Sequence, residues 1–295
     1  MTQESKFFSA GVRAMLISTF AFSVANILVK SVSHIPAFEV VFFRCFLASI
    51  YCYIGLKKAG ADPKGSSRWL LLARGLFGTL ALYLFFVTVQ NIPLATAQTI
   101  QYLSPVFTTV IAIMFLNESI RRLQWLFYAI AFGGVLLIEQ VDARVSPFFL
   151  IIGVMSAICS GAAYNLVRRM RETEHPLTVV FHFQLIGAIV GAIGMCFEWK
   201  TPQGADWLIL FLIGVFSQIG QIFLTHSLQS EPAASVAILI YSGLIYSVLA
   251  GVLLFNETLF AGTIIGILLV VFGVAASVYI GRRPRRMLAT EITQG

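Results

Sequence analysis

The sequence predicts an all-α membrane protein: ten transmembrane helices in two inverted-topology five-helix repeats. Three observations predict it. The chain of 295 residues is 58% hydrophobic and only 11% charged, whereas soluble domains carry roughly 45–50% apolar and about 25% charged residues. Its apolar runs approach or exceed the ~20 residues needed to cross a ~30 Å hydrocarbon layer. The chain also repeats itself at a fixed offset. A soluble domain of this size needs a charged skin, and this chain has little from which to make one, so most of it is solvated by lipid.

Read against their polar and Gly/Pro breaks, the apolar runs place spans over 11–31, 37–56, 69–89, 94–116, 123–138, 147–167, 177–197, 207–228, 233–255 and 259–280. The first follows Lys6 and Arg13 but is longer than the apolar region of a signal peptide and lacks a small-x-small cleavage site, so it reads as a span. The fifth is the shortest. With the N-terminus inside, the inner breaks collect 15 of the 20 Lys and Arg, from Lys57, Lys58, Lys64 and Arg68 through Arg168, Arg169 and Arg171 to Arg282, Arg283, Arg285 and Arg286. The outer breaks hold only Arg144 and Lys200. This asymmetry predicts a multi-pass protein of the inner membrane with both termini cytoplasmic. It also explains the net charge of +7 as topology, with no nucleic-acid partner implied. Cys45, Cys52, Cys159 and Cys196 all fall in apolar segments, without metal-ligand spacing or a disulfide framework.

Sliding the chain on itself by 139 residues aligns Pro93 with Pro232, Ala95 with Ala234, and Asn117, Glu118 and Ser119 with Asn256, Glu257 and Thr258. The same shift aligns Asn26 with Asn165, Gly75 with Gly214 and Gly134 with Gly273. The repeats cover 11–141 and 146–281, followed by a basic cytoplasmic tail over 282–295. Each holds five spans, an odd number, so the second copy enters the membrane with opposite polarity. Inverted repeats of this kind predict a secondary transporter with its solute site near the midplane between the halves.

Two stretches carry a family resemblance. Residues 103–138, LSPVFTTVIAIMFLNESIRRLQWLFYAIAFGGVLLI, place a proline in the fourth span, Glu118 at its close and a Gly-rich fifth span. Residues 241–280 are similar around Phe255, Asn256, Glu257, Thr258 and Gly273, with Gly243 where the first copy has Ser104. Arg44, in FRCFLA, also matches a family position. The chain resembles the EamA family of the drug/metabolite transporter (DMT) superfamily over nearly its whole length. The resemblance implies a ten-helix bundle with a central cavity, peripheral fifth and tenth helices, and a small cargo such as an amino acid or related metabolite.

Polar stripes on membrane helices must face protein or water, because lipid satisfies no hydrogen bonds. At 100° per residue, Gln98, Gln101, Ser104, Pro105, Thr108 and Ala112 share one face of the fourth span. The ninth presents Ser235, Ser242, Gly243, Tyr246 and Ala250. The eighth presents Gln218, Gln221, Thr225 and Gln229. The first offers Ser23 with Asn26, and the sixth Ser156, Ser160, Tyr164 and Asn165. Any one of these residues serves equally well as interhelical glue, but five converging stripes predict a shared cavity. The candidate solute-binding residues are Asn26, Arg44, Gln98, Gln101, Thr108, Tyr164, Asn165, Gln218, Gln221, Ser242 and Tyr246.

The embedded charges are expected to be partnered, because charge within a bilayer is expensive. Lys30 is the expected partner of Glu39 across the turn between the first two spans, and Arg74 is expected to snorkel to the cytoplasmic face. Arg44 carries two readings: bonding carbonyls that cap neighbouring helices, or gripping a carboxylate or phosphate through its fork of donors. Glu118 and Glu257 are expected to serve helix-end structure. His175 and His182 lack the acid or Cys of a metal site, and His226 is expected to be a satisfied interfacial residue.

No HExxH, GxSxG or embedded aspartate pair is present, so no enzyme and no cofactor are expected. Ten spans in an inverted pair fit alternating access better than a channel. The sequence outside the spans offers little to a scaffold's partner. Exchange or facilitated transport is the expected mode, with proton-coupled drug or metabolite export as the alternative. Gly262 and Gly266 form a GxxxG pair in the tenth span, which leaves a homodimer and intramolecular packing as two readings.

Overall fold

The computed structural model describes residues 10–116, 122–170, 172–230, 239 and 241–282. Glu118, Ser235 and the tail beyond Arg282 lie outside the described residues, as do the side chains of Thr225 and Gln229. The described chain is helical: α1 Ala10–Ser31, α2 Ala37–Ala59, α3 Arg68–Asn91, α4 Leu94–Gln101, α5 Ser104–Leu116, α6 Arg122–Val141, α7 Pro147–Arg169, α8 Pro176–Met195, α9 Asp206–Ser230, α10 Ser242–Phe255 and α11 Ala261–Arg282. Among them, 8 helices are long and apolar enough to cross a membrane. Large apolar side chains turn outward from the bundle, among them Leu253 and Leu268. In a membrane they meet lipid, which is the environment that such a surface requires.

The fourth span departs from expectation. It is two helices, α4 and α5, separated at Tyr102 and Leu103. The cause lies in the sequence. Pro105 has no N–H to offer the Gln101 carbonyl, and its ring crowds that position, so a continuous helix cannot pass. The chain tightens instead, Tyr102 N–H bonding to both Gln98 and Thr99 carbonyls and Leu103 N–H to Ile100. Tyr241, which the 139-residue offset places opposite Tyr102, meets it edge-on with ring centroids 5.0 Å apart.

Helix pairing is ordered. The principal contacts are α1 with α9, α2 with α8, α3 with α7, and α6 with α11. Glycines set the closest of these. Gly187, Gly191 and Gly194 of α8 face Cys45, Phe42 and Phe38 of α2, where a Cβ on any of the three comes within 3.0 Å of α2 atoms. In the α6–α11 contact, a Cβ on Gly134 or on Gly266 would lie 2.6 Å from the other's carbonyl oxygen. Gly262 packs on Val141 in the same contact. The GxxxG pair is therefore used within the chain, by α6, and the motif no longer argues for a homodimer.

One end of the bundle carries an ion pair that differs from the expected one. Lys30 pairs with Glu257 at 3.0 Å, not with Glu39. Both Glu257 oxygens also accept from the Leu94 backbone N–H, at 3.1 and 3.0 Å, and the Lys30 ammonium reaches the Ile92 carbonyl. Glu257 wins because it lies at the positive N-terminus of α4, where a carboxylate satisfies an orphan N–H as well as a cation. Asn256, left-handed at φ 51°, ends α10 and turns the chain so that the carboxylate reaches across. Glu39 accepts instead from the Lys200 backbone N–H. The helix-end role expected of Glu257 is what the structure shows. Beside it, Asp142 and Arg144 bond through paired contacts of 2.8 and 2.7 Å, and Arg144 also reaches the Thr258 carbonyl.

Candidate functional site

Between the helices lies a cavity of about 260 Å³, just below the roughly 300–1,000 Å³ of pockets for drug-sized ligands. It is walled by α1, α2, α3, α4, α7, α8 and α9. Helices α6 and α11 contribute nothing to the wall among the described residues, which agrees with their expected peripheral place.

The α4–α5 break builds one side. Gln101, the last residue of α4, donates from Nε2 to Ser160 Oγ at 2.8 Å. Ser156 Oγ lies 3.0 Å from Gln101 Oε1 and 2.7 Å from the Ala81 carbonyl, tying α7 to α4 and α3. One turn earlier, Gln98 Oε1 accepts from Asn26 Nδ2 at 3.1 Å. Tyr164, Ser217 and Gln221 complete the polar lining, while Phe22, Phe85, Phe86 and Phe183 supply aromatic faces.

Two arginines dominate the electrostatics. Arg44 is 8% exposed and sits over the Phe86 ring at 5.4 Å. Arg74 sits over Phe183 at 4.6 Å. Both line the cavity, and the Nε of each is buried without a hydrogen-bond partner. Neither forms an ion pair among the described residues, and no Asp, Glu or His lines the cavity. Among the described residues, Arg44 bonds none of the carbonyls that its structural reading required. Arg74 corrects an expectation too: it does not snorkel out of the bundle but turns inward. Its signal was Gly78, one turn farther along α3, which leaves room for a guanidinium to lie along the helix.

Of the expected site residues, Asn26, Arg44, Gln98, Gln101, Tyr164 and Gln221 are brought together on this wall. Five others lie elsewhere. Asn165 donates to the Thr108 and Gly161 carbonyls at 2.8 and 3.0 Å, so Asn165 and Thr108 join α7 to α5. Gln218 faces Cys52 Sγ at 3.6 Å. Ser242 meets Thr19 at 3.1 Å, and Tyr246 packs edge-on against Phe20. These are interhelical contacts of the gluing kind. The residues that sequence reasoning missed include Arg74, Ser217 and the phenylalanines, since an aromatic on a membrane helix gives no sign of whether it faces lipid or cavity. Among the described residues no cluster of His, Cys, Asp or Glu is placed to hold a metal.

The match to known proteins follows the same architecture. The model of the EamA-like transporter family matches residues 9–140 and again 147–279. The pseudopaline exporter CntI of Pseudomonas aeruginosa is 32% identical over 272 residues, covering 91% of this chain and 96% of that protein. Human solute carrier family 35 member G1 is 31% identical, covering 88% of this chain and 76% of its own. The S-adenosylmethionine uptake transporter of Rickettsia conorii is 25% identical, covering 87% and 88%. A crystal structure 18% identical in sequence shares the fold, with a TM-score of 0.63 over 92% of this chain and 98% of that one. The chain belongs to the EamA-like transporter family: it is a multi-pass membrane transporter of small molecules, not an enzyme.

Proposed function

We propose that this transporter carries a small organic solute bearing an anionic group, an amino acid or related metabolite, across the inner membrane by alternating access, as an exchanger or facilitated carrier. One observation carries the reading: a cavity between the helices holds arginine charge and, among the described residues, no acid to neutralise it. A guanidinium offers parallel donors that match a carboxylate, and it does not titrate near neutrality. The absence of a carboxylate or His from the described lining speaks against proton-coupled export of a cation, which needs an acid or base in the solute path.

The inverted repeat supports alternating access. Exchanging the two halves maps α1–α9 onto α7–α3, α5–α7 onto α10–α1, and the α2–α8 and α6–α11 contacts each onto itself. The Tyr102–Tyr241 contact lies where the two copies meet. A bundle whose contacts survive the exchange has two equivalent ways to pack, open to one side or to the other. Relatives similar in sequence over most of this chain are named as an exporter and as an uptake transporter, which is compatible with either direction of net flux.

Counterflow in proteoliposomes tests the reading, across amino acids, nucleosides, organic anions and organic cations. Saturable uptake of an anionic or zwitterionic solute, stimulated by the same solute inside and indifferent to an imposed pH gradient, is the expected result. Accumulation of a cation driven by a pH gradient overturns it.

A further inference from the structure

We propose that the solute carries two anionic groups, one held by Arg44 and the other by Arg74, and that Gly78 is the residue that lets Arg74 reach it. This deepens the reading of the cavity as the solute site and rests on it.

The geometry of Arg74 is unusual for a membrane helix. It lies six residues into α3, about 9 Å along the axis at ~1.5 Å per residue. A basic side chain so placed ordinarily runs back to the nearer surface. Here it runs the other way. A Cβ at position 78 would lie 2.0 Å from Arg74 Nη1, so the guanidinium occupies the volume that a side chain there would fill. That places its head one turn deeper, about 15 Å along α3, the middle of a ~30 Å hydrocarbon layer. Arg44, seven residues into α2 and about 10 Å from its start, rests on Phe86, which lies eight residues beyond Gly78 on α3, about 12 Å along that axis. The guanidinium carbons lie 5.4 Å from the Phe86 ring centroid for Arg44 and 4.6 Å from that of Phe183 for Arg74, and both arginines line the cavity.

Both charges thus sit deep in the bundle, with Nε atoms buried and unpartnered and no acid on the described lining. A single carboxylate pairs side-on with one guanidinium fork. Two forks without hydrogen-bond or ion-pair partners among the described residues call for two oxyanion groups on one solute, two carboxylates or a carboxylate and a phosphate. Phe22 and Phe85, which also line the cavity, offer apolar surface for a spacer between the two groups.

The test is equilibrium binding to the full chain in nanodiscs. The probes are straight-chain dicarboxylates from succinate to suberate, each against its own monoamide, and phosphoglycolate against glycolate. At least one diacid is expected to bind roughly tenfold to a hundredfold tighter than its one-anion partner, the worth of a charged hydrogen bond expressed as affinity. Phosphoglycolate showing the larger ratio assigns one fork to phosphate; a dicarboxylate showing it assigns both to carboxylates. Arg74→Gln is expected to bring the ratio close to one by weakening the binding of the diacid. Gly78→Ala keeps the charge but moves the guanidinium, and is expected to shrink the ratio in a protein that still folds. A ratio near one for every pair in the unmodified protein, or one that survives both substitutions, overturns the two-anion proposal while the single-anion function stands. Failure of every acid and every monoamide to bind overturns both.

Discussion

Replacing Glu257 with alanine perturbs an ion pair that also caps a helix. Its carboxylate, 8% exposed, meets Lys30 at 3.0 Å, where Lys30 is 14% exposed, and it accepts from the Leu94 N–H, whose residue is 0% exposed. Glu257→Ala leaves that N–H without its acceptor, which costs about 1–3 kcal/mol. Removing one partner of a fully buried pair costs about 3–5 kcal/mol, but Lys30 keeps the Ile92 carbonyl and some access to solvent. A net loss of about 2–4 kcal/mol follows. At roughly 2–4 °C per kcal/mol for chains approaching this size, the thermal midpoint in mild detergent falls by roughly 5–15 °C. Lys30→Met removes the ion pair and the contact to the Ile92 carbonyl but leaves the helix cap, so its loss is smaller. The swap Lys30→Glu with Glu257→Lys does not restore stability, because an ammonium cannot accept from Leu94. Equal losses for Glu257→Ala and Lys30→Met, or rescue by the swap, refute the assignment of Glu257 as a cap on α4.

Further outcomes follow from other parts of the molecule. In a background with the exposed Cys196 replaced, cysteines at Ser66 and Gly295 stay shielded from an impermeant thiol reagent in intact cells, while one at Gln203 labels; labelling at Ser66 reverses the proposed orientation. Gln101→Ala and Gln221→Ala weaken solute binding by about tenfold, the worth of about one hydrogen bond, whereas Tyr246→Phe, which lies against Phe20, leaves affinity unchanged in the same assay. Burial alone raises the Asp142 carboxyl, but hydrogen bonds from the Arg144 side chain and backbone outweigh it and hold it below the usual carboxylate range. Its stabilisation is therefore present above the ordinary pKa of about 4 and lost as pH falls through the depressed value. Asp142→Asn lowers the thermal midpoint at pH 7, and the gap from the unmodified protein narrows in acid; a gap constant down to the lowest pH at which the protein stays folded contradicts this.

The sequence by itself determined the span positions, most to within a few residues, because a bilayer's thickness imposes the length of every apolar run. It also determined the internal repeat, and with it the expectation of paired halves, since the offset is visible in Pro93 and Pro232 or Gly134 and Gly273. Polar stripes on the first, fourth, sixth and eighth spans mark helices that line the cavity, the described part of the ninth does not reach it, and six of the eleven expected residues line it. Which polar residue faces the cavity and which one bonds a neighbouring helix was decided only by tertiary structure, because both satisfy the same demand for partners in lipid. Asn165 and Asn26 occupy matching places in the two repeats, yet only Asn26 reaches the cavity. The charges show the same limit. Lys30 lies near Glu39 in sequence but pairs with Glu257, since the N-terminus of α4 draws that carboxylate to it from 163 residues away. Arg74 turns inward because Gly78 leaves the space and Phe183, from α8, supplies a face to rest on. Only the packing of α3 against α8 brings those three residues together.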